Sequence, residues 1–180
     1  MTIDYTLEEN DLLTFQLFEA STSKRVRKSR RMNKIILSAG CVISGTFWFA
    51  DRTTTDVILF CCVLITLLLF PLLEKALYVR HFRGFIREKC SGMTGKPTTL
   101  DIEAGHFLSR EEGNEIRIAW TEVSRIDELP AQILIKLKSS QTLILPKQRI
   151  TNIDALKATL LKVANDKGIA YTNHDNWKWK

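Results

Sequence analysis

Two apolar runs dominate the hydrophobic pattern of the amino-terminal half, at residues 34–50 and 57–73, with only the polar stretch DRTTTD between them. Each run has 17 residues. At about 1.5 Å per residue a helix of that length spans roughly 25 Å, close to the roughly 30 Å of a bilayer hydrocarbon core. The pattern therefore predicts a transmembrane hairpin of two helices, each lengthened by its flanking residues.

The two predicted helices are unequal. The second run contains 13 Leu, Ile, Val or Phe residues, which together favour insertion by roughly 4 to 8 kcal/mol. The first has seven such residues, which favour insertion by about 2 to 4 kcal/mol, opposed by its Ser, Gly and Thr residues. We expect the first helix to depend on the second. Gly40 and Ser44 have the small-xxx-small spacing that allows close helix packing, although scattered small residues can also have no packing role.

Basic residues flank the apolar runs. Residues 1–23 hold five acidic and no basic residues, whereas residues 24–34 hold seven basic and no acidic ones. Because Lys and Arg beside membrane helices mark the cytoplasmic side, we expect both termini in the cytoplasm and the DRTTTD loop outside. The residues that would set this topology are Lys24, Arg25, Arg27, Lys28, Arg30, Arg31, Lys34, Arg80, Arg83 and Arg87. The net charge of +6 is thus concentrated beside the predicted membrane helices, which leaves little for nucleic-acid binding to explain. The same bases could also bind anionic lipid headgroups, although topology setting is sufficient to account for them.

Local signals divide the chain into three parts. Residues 2–6 predict a short strand, and Thr6 and Glu9 have capping-box spacing at the start of a helix whose apolar positions are Leu13, Leu17 and Phe18. After a possible kink at Pro71, residues 78–90 alternate aromatic and basic groups, which is typical of an interfacial helix. The stretch SGMTGKP then indicates a linker. The predicted parts are a cytoplasmic flank at 1–33, the hairpin at 34–90 and a cytoplasmic domain at 91–180.

The carboxyl-terminal part has the period of two that predicts β-strands, from residue 98 to residue 147. REEGN and KSSQ supply tight turns, with Gly113 or Asn114 suited to positive φ. Thr151 and Asp154 indicate the start of a helix that ends near Gly168, with apolar positions Ile153, Leu156, Leu160, Val163 and Ala164. The fold class is therefore α+β: a transmembrane hairpin followed by a small antiparallel β barrel or sandwich closed by a helix.

Three stretches within this part, IAWTEVSRIDE (118–128), ILIKLK (133–138) and LILPKQRI (143–150), resemble the carboxyl-terminal domain of YcxB-like proteins. The residues that carry the resemblance are Trp120, Ile126, Glu128, Pro146 and Lys147. It implies a bacterial multi-pass protein of the inner membrane, with a membrane hairpin upstream of a domain like the bacterial pleckstrin-homology fold. It implies no chemical activity and adds no catalytic residue.

Four positions in this domain are candidates for recognition. Lys147 and Arg149 lie on one side of an extended segment and could receive a phosphate or an acidic partner, or simply form a solvated edge. Trp177 and Trp179 alternate with lysines in the tail, which either returns to the membrane interface or frays. Trp120 is expected in the core, with a ligand-stacking role as the alternative.

The functional prediction is a non-enzymatic interaction module held at the membrane. The histidines are dispersed and no common catalytic, metal-binding or disulfide motif is present, so no cofactor is expected. The partner is either an unknown protein or an anionic lipid, and the chain could form a homo-oligomer. The alternative is a small transporter or channel subunit that works as an oligomer, although the apolar runs contain only Ser and Thr as polar side chains.

Overall fold

The structure is a computed structural model that describes residues 1–51 and 54–179, and the side chains of residues 47–51, 56 and 91 lie outside the description. The described chain is α+β, with four α-helices and two four-stranded sheets. The predicted fold class is confirmed at this level. Two residues of the predicted DRTTTD loop, 52 and 53, lie outside the described residues.

The chain forms two compact units that differ from the predicted parts. A strand-rich unit consists of Met1–Phe15 together with Gly84–Lys178. A helical unit consists of Gln16–Arg83 together with the end of the tail at Trp179. The amino-terminal strand therefore belongs with the carboxyl-terminal domain and not with a separate flank, because its backbone pairs with that domain.

The strand-rich unit contains two sheets. The first is an antiparallel meander of β1 (Thr2–Thr6), β2 (Pro97–Ile102), β3 (His106–Glu111) and β4 (Asn114–Ala119). In the first sheet Ile3 pairs with Leu100, so the strand at the amino terminus is completed by one that follows both long helices. The second sheet has the order β7-β6-β5-β8, from β5 (Val123–Glu128), β6 (Gln132–Leu137), β7 (Thr142–Pro146) and β8 (Ala170–Asn173).

Strand β8 was not predicted. It follows helix α4 (Ile153–Lys167) and pairs in parallel with β5, whereas the other ladders are antiparallel. The helix supplies the crossover that a parallel pair requires. Pro146 is the last residue of the edge strand β7, as predicted for a residue that cannot donate to a ladder. The strands form two separate sheets in the described chain, and the predicted closed barrel is not seen.

One hydrophobic core joins both sheets and α4. Trp120 is 1% exposed, packs on Phe107 with ring centroids 5.0 Å apart, and donates from Nε1 to the Glu103 carbonyl oxygen at 2.9 Å. The prediction that Trp120 is a core residue is therefore confirmed. Three positions of the predicted helical stripe are buried in this core, and two pack against it: Leu156, Leu160 and Ala164, then Ile153 and Val163.

The β3–β4 turn and the end of α4 lie where they were predicted, whereas the start of α1 differs from its prediction. The β3–β4 turn places Glu112 and Gly113 at φ 42° and 84°, the positive values of a tight hairpin turn. Helix α4 ends at Gly168, whose φ of 65° is left-handed, as predicted. Helix α1 (Glu9–Thr22) is capped two residues later than Thr6, at Glu8, whose N–H donates to Asp11 Oδ2 at 2.9 Å, because Thr6 is the last residue of β1.

The helical unit is built on two long helices, α2 (Lys24–Asp51) and α3 (Thr54–Lys89). Helix α3 continues through Pro71 and through the segment predicted as a separate interfacial helix. Within the described residues, one helix is long and apolar enough to cross a membrane, at Val57–Lys89.

Candidate functional site

The largest exposed apolar surface of the described chain lies on α3, with a smaller one on α2. Only 6% of the most apolar window of α3 is buried. Its exposed large side chains are Val57, Ile58, Leu59, Leu64, Ile65, Leu68, Leu69, Leu72, Leu73 and Leu77. Helix α2 adds Ile35, Ile36, Val42 and Ile43. Contiguous apolar surfaces of this extent mark contact with a membrane or a protein partner.

Two contacts join α2 to α3 inside the helical unit. The Arg30 guanidinium donates from Nε to Glu74 Oε1 at 2.8 Å and from Nη2 to Oε2 at 3.0 Å. At the other end, a Cβ built on Gly45 would lie 3.5 Å from the Phe60 ring, so Gly45 allows an aromatic side chain to approach α2. From the Arg30–Glu74 contact to the Gly45–Phe60 contact, the residue numbers rise along α2 and fall along α3, so the two helices run antiparallel.

The two residues of the predicted packing pair, Gly40 and Ser44, have different surroundings in the structure. Ser44 is buried and donates to the Cys41 carbonyl oxygen at 3.1 Å. A Cβ at Gly40 would meet no atom within 4 Å in the described chain. Gly40 therefore does not bring the two helices together within one chain, and Gly45 does so instead, because its missing side chain faces Phe60.

Trp179 packs within the helical unit. Its ring lies 5.3 Å from that of Tyr78 in an edge-on arrangement, and the Arg30 guanidinium carbon lies 5.0 Å from its ring centre, which is cation–π geometry. Trp179 is 9% exposed and is held by these contacts within the chain, and its return to the membrane interface stays a prediction. The other predicted tail residue, Trp177, lies in the strand-rich unit, and its N–H donates to the His174 carbonyl oxygen at 2.8 Å.

Most of the predicted topology-setting cations are exposed. Those that begin α2 are Lys24, Arg25, Arg27, Lys28, Arg31 and Lys34, and those on α3 are Arg80, Arg83 and Arg87. Arg87 forms an exposed ion pair with Glu9, from Nε to Oε1 at 3.2 Å. Arg30 differs in being partly buried, where it pairs with the buried carboxylate of Glu74.

Lys147 is engaged inside the strand-rich unit and does not present a free cation. Its Nζ lies 2.6 Å from Glu128 Oε1, and Lys157 of α4 approaches the same oxygen at 2.7 Å. Tyr171 of β8 donates to the other oxygen at 2.5 Å. Burial alone would raise the pKa of Glu128, but the hydrogen bonds from Lys147, Lys157 and Tyr171 outweigh it and lower that pKa to about 2. This group of four residues is named the Glu128 cluster.

Arg149 is also engaged within the unit. Its Nη2 lies 2.6 Å from Glu8 Oε2, its Nη1 pairs with Asp11, and Nη1 also donates to the Thr6 carbonyl oxygen at 3.2 Å. Arg149 thus fastens the junction between β1 and α1 to the segment after β7. Internal carboxylates hold both Lys147 and Arg149 in this structure, and the contact of these two side chains with an external phosphate or acidic partner stays a prediction.

Sequence inspection missed these carboxylates for different reasons. Glu128 was identified only as a residue of the resemblance, and its partners come from the turn after β7, from α4 and from β8, which are far apart in sequence. Beside it, Asp127 Oδ1 lies 3.1 Å from His174 Nε2, and its Oδ2 lies 2.8 Å from Arg125 Nε. Glu8 and Asp11 were visible only as part of an acidic segment. Within the described residues, no group of three His, Cys, Asp or Glu side chains is placed to hold a metal ion.

Residues 102–160 match the family model described as YcxB-like protein. The matched segment begins at the end of β2 and ends inside α4, so it holds three strands of the second sheet but neither β1 nor the helical unit. It confirms the resemblance predicted from residues 118–150. None of the curated proteins matches the chain.

Proposed function

From the YcxB-like character of residues 102–160, we propose that this chain is a membrane-anchored, non-enzymatic interaction module. In this proposal α2 and α3 form a transmembrane hairpin, and the strand-rich unit is a pleckstrin-homology-like domain held at the cytoplasmic face of a bacterial inner membrane. The partner is a protein or an anionic lipid.

The observation that carries the proposal is the pairing of β1 with β2. Thr2 and Asp101, 99 residues apart, are joined by a hydrogen bond of 2.5 Å within one sheet. A hydrogen-bonded sheet with a shared core lies on one side of a bilayer. The chain between its first two strands must then cross the membrane an even number of times. If the apolar helix at Val57–Lys89 crosses once, a second crossing is required, and α2 is the long helix that precedes it.

The contacts between α2 and α3 support this arrangement. Arg30 with Glu74 and Gly45 with Phe60 are successive contacts of an antiparallel pair, since they run in opposite directions along the two helices. The Arg30–Glu74 pair also satisfies an acidic group that would otherwise be costly near the hydrocarbon. Exposed bases at the start of α2 and the end of α3 favour placement of both these ends in the cytoplasm.

The strand order supports a pleckstrin-homology-like domain. A meander of four strands, a meander of three and a closing helix share one core, and the helical unit is inserted between the first two strands. The edge strand β4 leaves Ile116 59% exposed, which offers a protein partner an apolar contact beside unpaired strand backbone. This edge favours an interaction role over transport.

Cysteine labelling in cells tests the hairpin. In a chain with its four cysteines replaced by Ala, single cysteines are introduced at the exposed positions Asn10, Thr54 and Ser139. We expect a membrane-impermeant maleimide to label the Thr54→Cys chain in intact cells, and the Asn10→Cys and Ser139→Cys chains only after the membrane is opened. Labelling of Asn10→Cys and Ser139→Cys from opposite sides would overturn the proposal.

Photo-crosslinking tests the interaction role. A photoreactive amino acid at Ile116 is compared with the same amino acid at Ser139, an exposed turn position far from the β4 edge in the strand order. A discrete adduct at Ile116 that is absent at Ser139 supports a partner at the β4 edge. Absence of adducts, together with solute flux in proteoliposomes of the pure protein, would favour the transporter alternative.

A further inference from the structure

Four of the cations at the start of α2 lie on one face of that helix. Lys24, Arg27, Lys28 and Arg31 follow the spacing i, i+3, i+4 and i+7, which confines them to about 100° of the helix circumference. All four are exposed. We name them the cationic stripe. In the part of the chain that the structure describes, no acidic side chain pairs with any of them.

Arg30 separates the stripe from the rest of the block. It projects from a different side of α2 and is held by Glu74, whereas the stripe residues keep their charges free toward solvent. Of the seven bases at the start of α2, Arg30 is used for helix pairing and six are exposed, namely the four of the stripe together with Arg25 and Lys34. A topology signal needs only the number of bases near a span, so the concentration of four exposed bases on one face goes beyond what topology requires.

Aromatic residues locate the stripe along the helix axis. Trp179 and Tyr78 lie together at the level of Arg30, and Trp and Tyr favour the membrane–water interface. At about 1.5 Å per residue, Arg31, Lys28 and Arg27 lie within about 5 Å of Arg30 along the axis, and Lys24 lies about 9 Å away. The polar headgroup layer adds roughly 5 to 8 Å to each side of the hydrocarbon core. Three of the four stripe cations thus lie at headgroup depth.

We propose that the cationic stripe binds the headgroups of anionic phospholipids in the leaflet next to the strand-rich unit. Arginine matches a phosphodiester with two parallel hydrogen bonds, and lysine adds a point charge. Each cation close to an anionic surface contributes about 1 kcal/mol, which is about fivefold in association. This inference rests on the proposed membrane hairpin and names one of its partners.

Lipid selectivity measured by electron paramagnetic resonance tests the stripe. The full chain is reconstituted into phosphatidylcholine vesicles that contain trace spin-labelled phosphatidylglycerol or spin-labelled phosphatidylcholine. We expect the protein-bound fraction to favour phosphatidylglycerol by about fivefold or more at low salt. The preference should weaken in 1 M KCl, where the screening length is about 3 Å.

A matched pair of variants assigns the preference to the stripe. The test variant carries Lys24→Gln, Arg27→Gln, Lys28→Gln and Arg31→Gln, and the control loses the same charge through Lys138→Gln, Lys162→Gln, Lys167→Gln and Lys178→Gln, all exposed in the strand-rich unit. We expect the test variant to bind both lipids alike and the control to keep the wild-type preference. Equal loss in both variants, or no preference in the wild type, would overturn the inference.

Carbonate extraction distinguishes failure of the lipid-binding inference from failure of the proposed hairpin. Wild-type protein that stays in the vesicles at alkaline pH but shows no preference for phosphatidylglycerol leaves the hairpin standing and overturns the stripe. Wild-type protein that is released at alkaline pH overturns the hairpin and the stripe together.

Discussion

The guanidinium of Arg30 forms a two-pronged ion pair with the carboxylate of Glu74, with hydrogen bonds of 2.8 and 3.0 Å. The same guanidinium lies against the ring of Trp179. Glu74 is buried and is one of two acidic side chains, with Glu88, in the part of α3 that follows the apolar run. Three segments that are distant in sequence thus meet at one side chain of α2.

Replacing Glu74 with Gln should destabilise the helical unit. Arg30 would keep its charge in a partly buried place without a carboxylate, at a cost of about 1 to 3 kcal/mol. For a chain of this size the thermal midpoint in detergent should fall by about 3 to 10 °C, measured by scanning fluorimetry. Arg31→Gln, which removes an exposed base, serves as the control and should leave the midpoint unchanged. An Arg30→Glu, Glu74→Arg exchange should recover part of the loss.

Substitution at two glycines of α2 should give opposite results. Gly45→Leu places a branched side chain where the Phe60 ring already lies 3.5 Å from the Cβ position, so we expect the α2–α3 contact to weaken. Gly40→Leu adds the same side chain where nothing lies within 4 Å. The measurement is crosslinking between cysteines placed on the two helices. Equal crosslinking in both variants would show that Phe60 does not set the helix spacing.

The Glu128 cluster should make stability depend on acid pH. The pKa of Glu128 is about 2 in the folded protein and near 4.5 without its partners. Its contribution is therefore complete above about pH 4.5 and is lost as the pH falls toward 2, amounting to about 3 kcal/mol. Glu128→Gln should lose that stability at neutral pH and show a flatter decline below pH 4.5.

Trp120 provides the signal for this measurement. It is buried in the core of the strand-rich unit, so its fluorescence reports unfolding there once Trp48, Trp177 and Trp179 are changed to Phe. Denaturant unfolding is compared between pH 6 and pH 3 in the full chain, with and without Glu128→Gln. Parallel pH profiles for the two proteins would contradict a stabilising role for the Glu128 carboxylate.

Arg149→Gln should loosen the amino-terminal junction and leave lipid binding intact. Without Arg149, Glu8 and Asp11 lose their cation and the Thr6 carbonyl loses a donor, at a cost of about 1 to 2 kcal/mol. Hydrogen exchange should become faster in residues 2–15. Lys162→Gln, an exposed change on α4, is the control. A loss of phosphatidylglycerol preference in Arg149→Gln would restore the external-anion role that the internal pairing argues against.

Trp179→Ala should destabilise the helical unit more than Trp179→Phe. Both variants lose the indole, but Phe keeps an aromatic face for Arg30 and an edge for Tyr78, interactions each worth about 0.5 to 1.5 kcal/mol. Limited proteolysis of the tail measures the effect, with Trp177→Ala as the matched tryptophan change in the other unit. Equal protection in all three variants would mean that the tail is not held by its aromatic ring.

Local pattern was sufficient for much of the fold. The period of two predicted strands from residue 98 to residue 147, where β2 to β7 lie, and Gly168 marked the end of α4, because these signals depend on neighbouring residues. The pairings of β1 with β2 and β8 with β5 could not be read in the same way, since tertiary contacts decide them. Lys147 and Arg149 were identified as cations, but their carboxylates come from remote segments. A charged residue in a sequence predicts an oppositely charged partner, but only the fold shows whether that partner lies in the same chain.

The position of β1 imposes an order of events on biogenesis. The strand is synthesised first, yet Asp101 emerges 99 residues after Thr2, which at about 5 to 20 residues per second is a delay of roughly 5 to 20 s. During that delay both long helices leave the ribosome, and the nascent β1 has no strand to pair with. Completion of the first sheet therefore waits until both long helices have been synthesised. If those helices form the proposed membrane hairpin, β1 and β2 can pair only after the hairpin has returned the chain to the side where β1 lies, so assembly of the domain would report successful membrane integration.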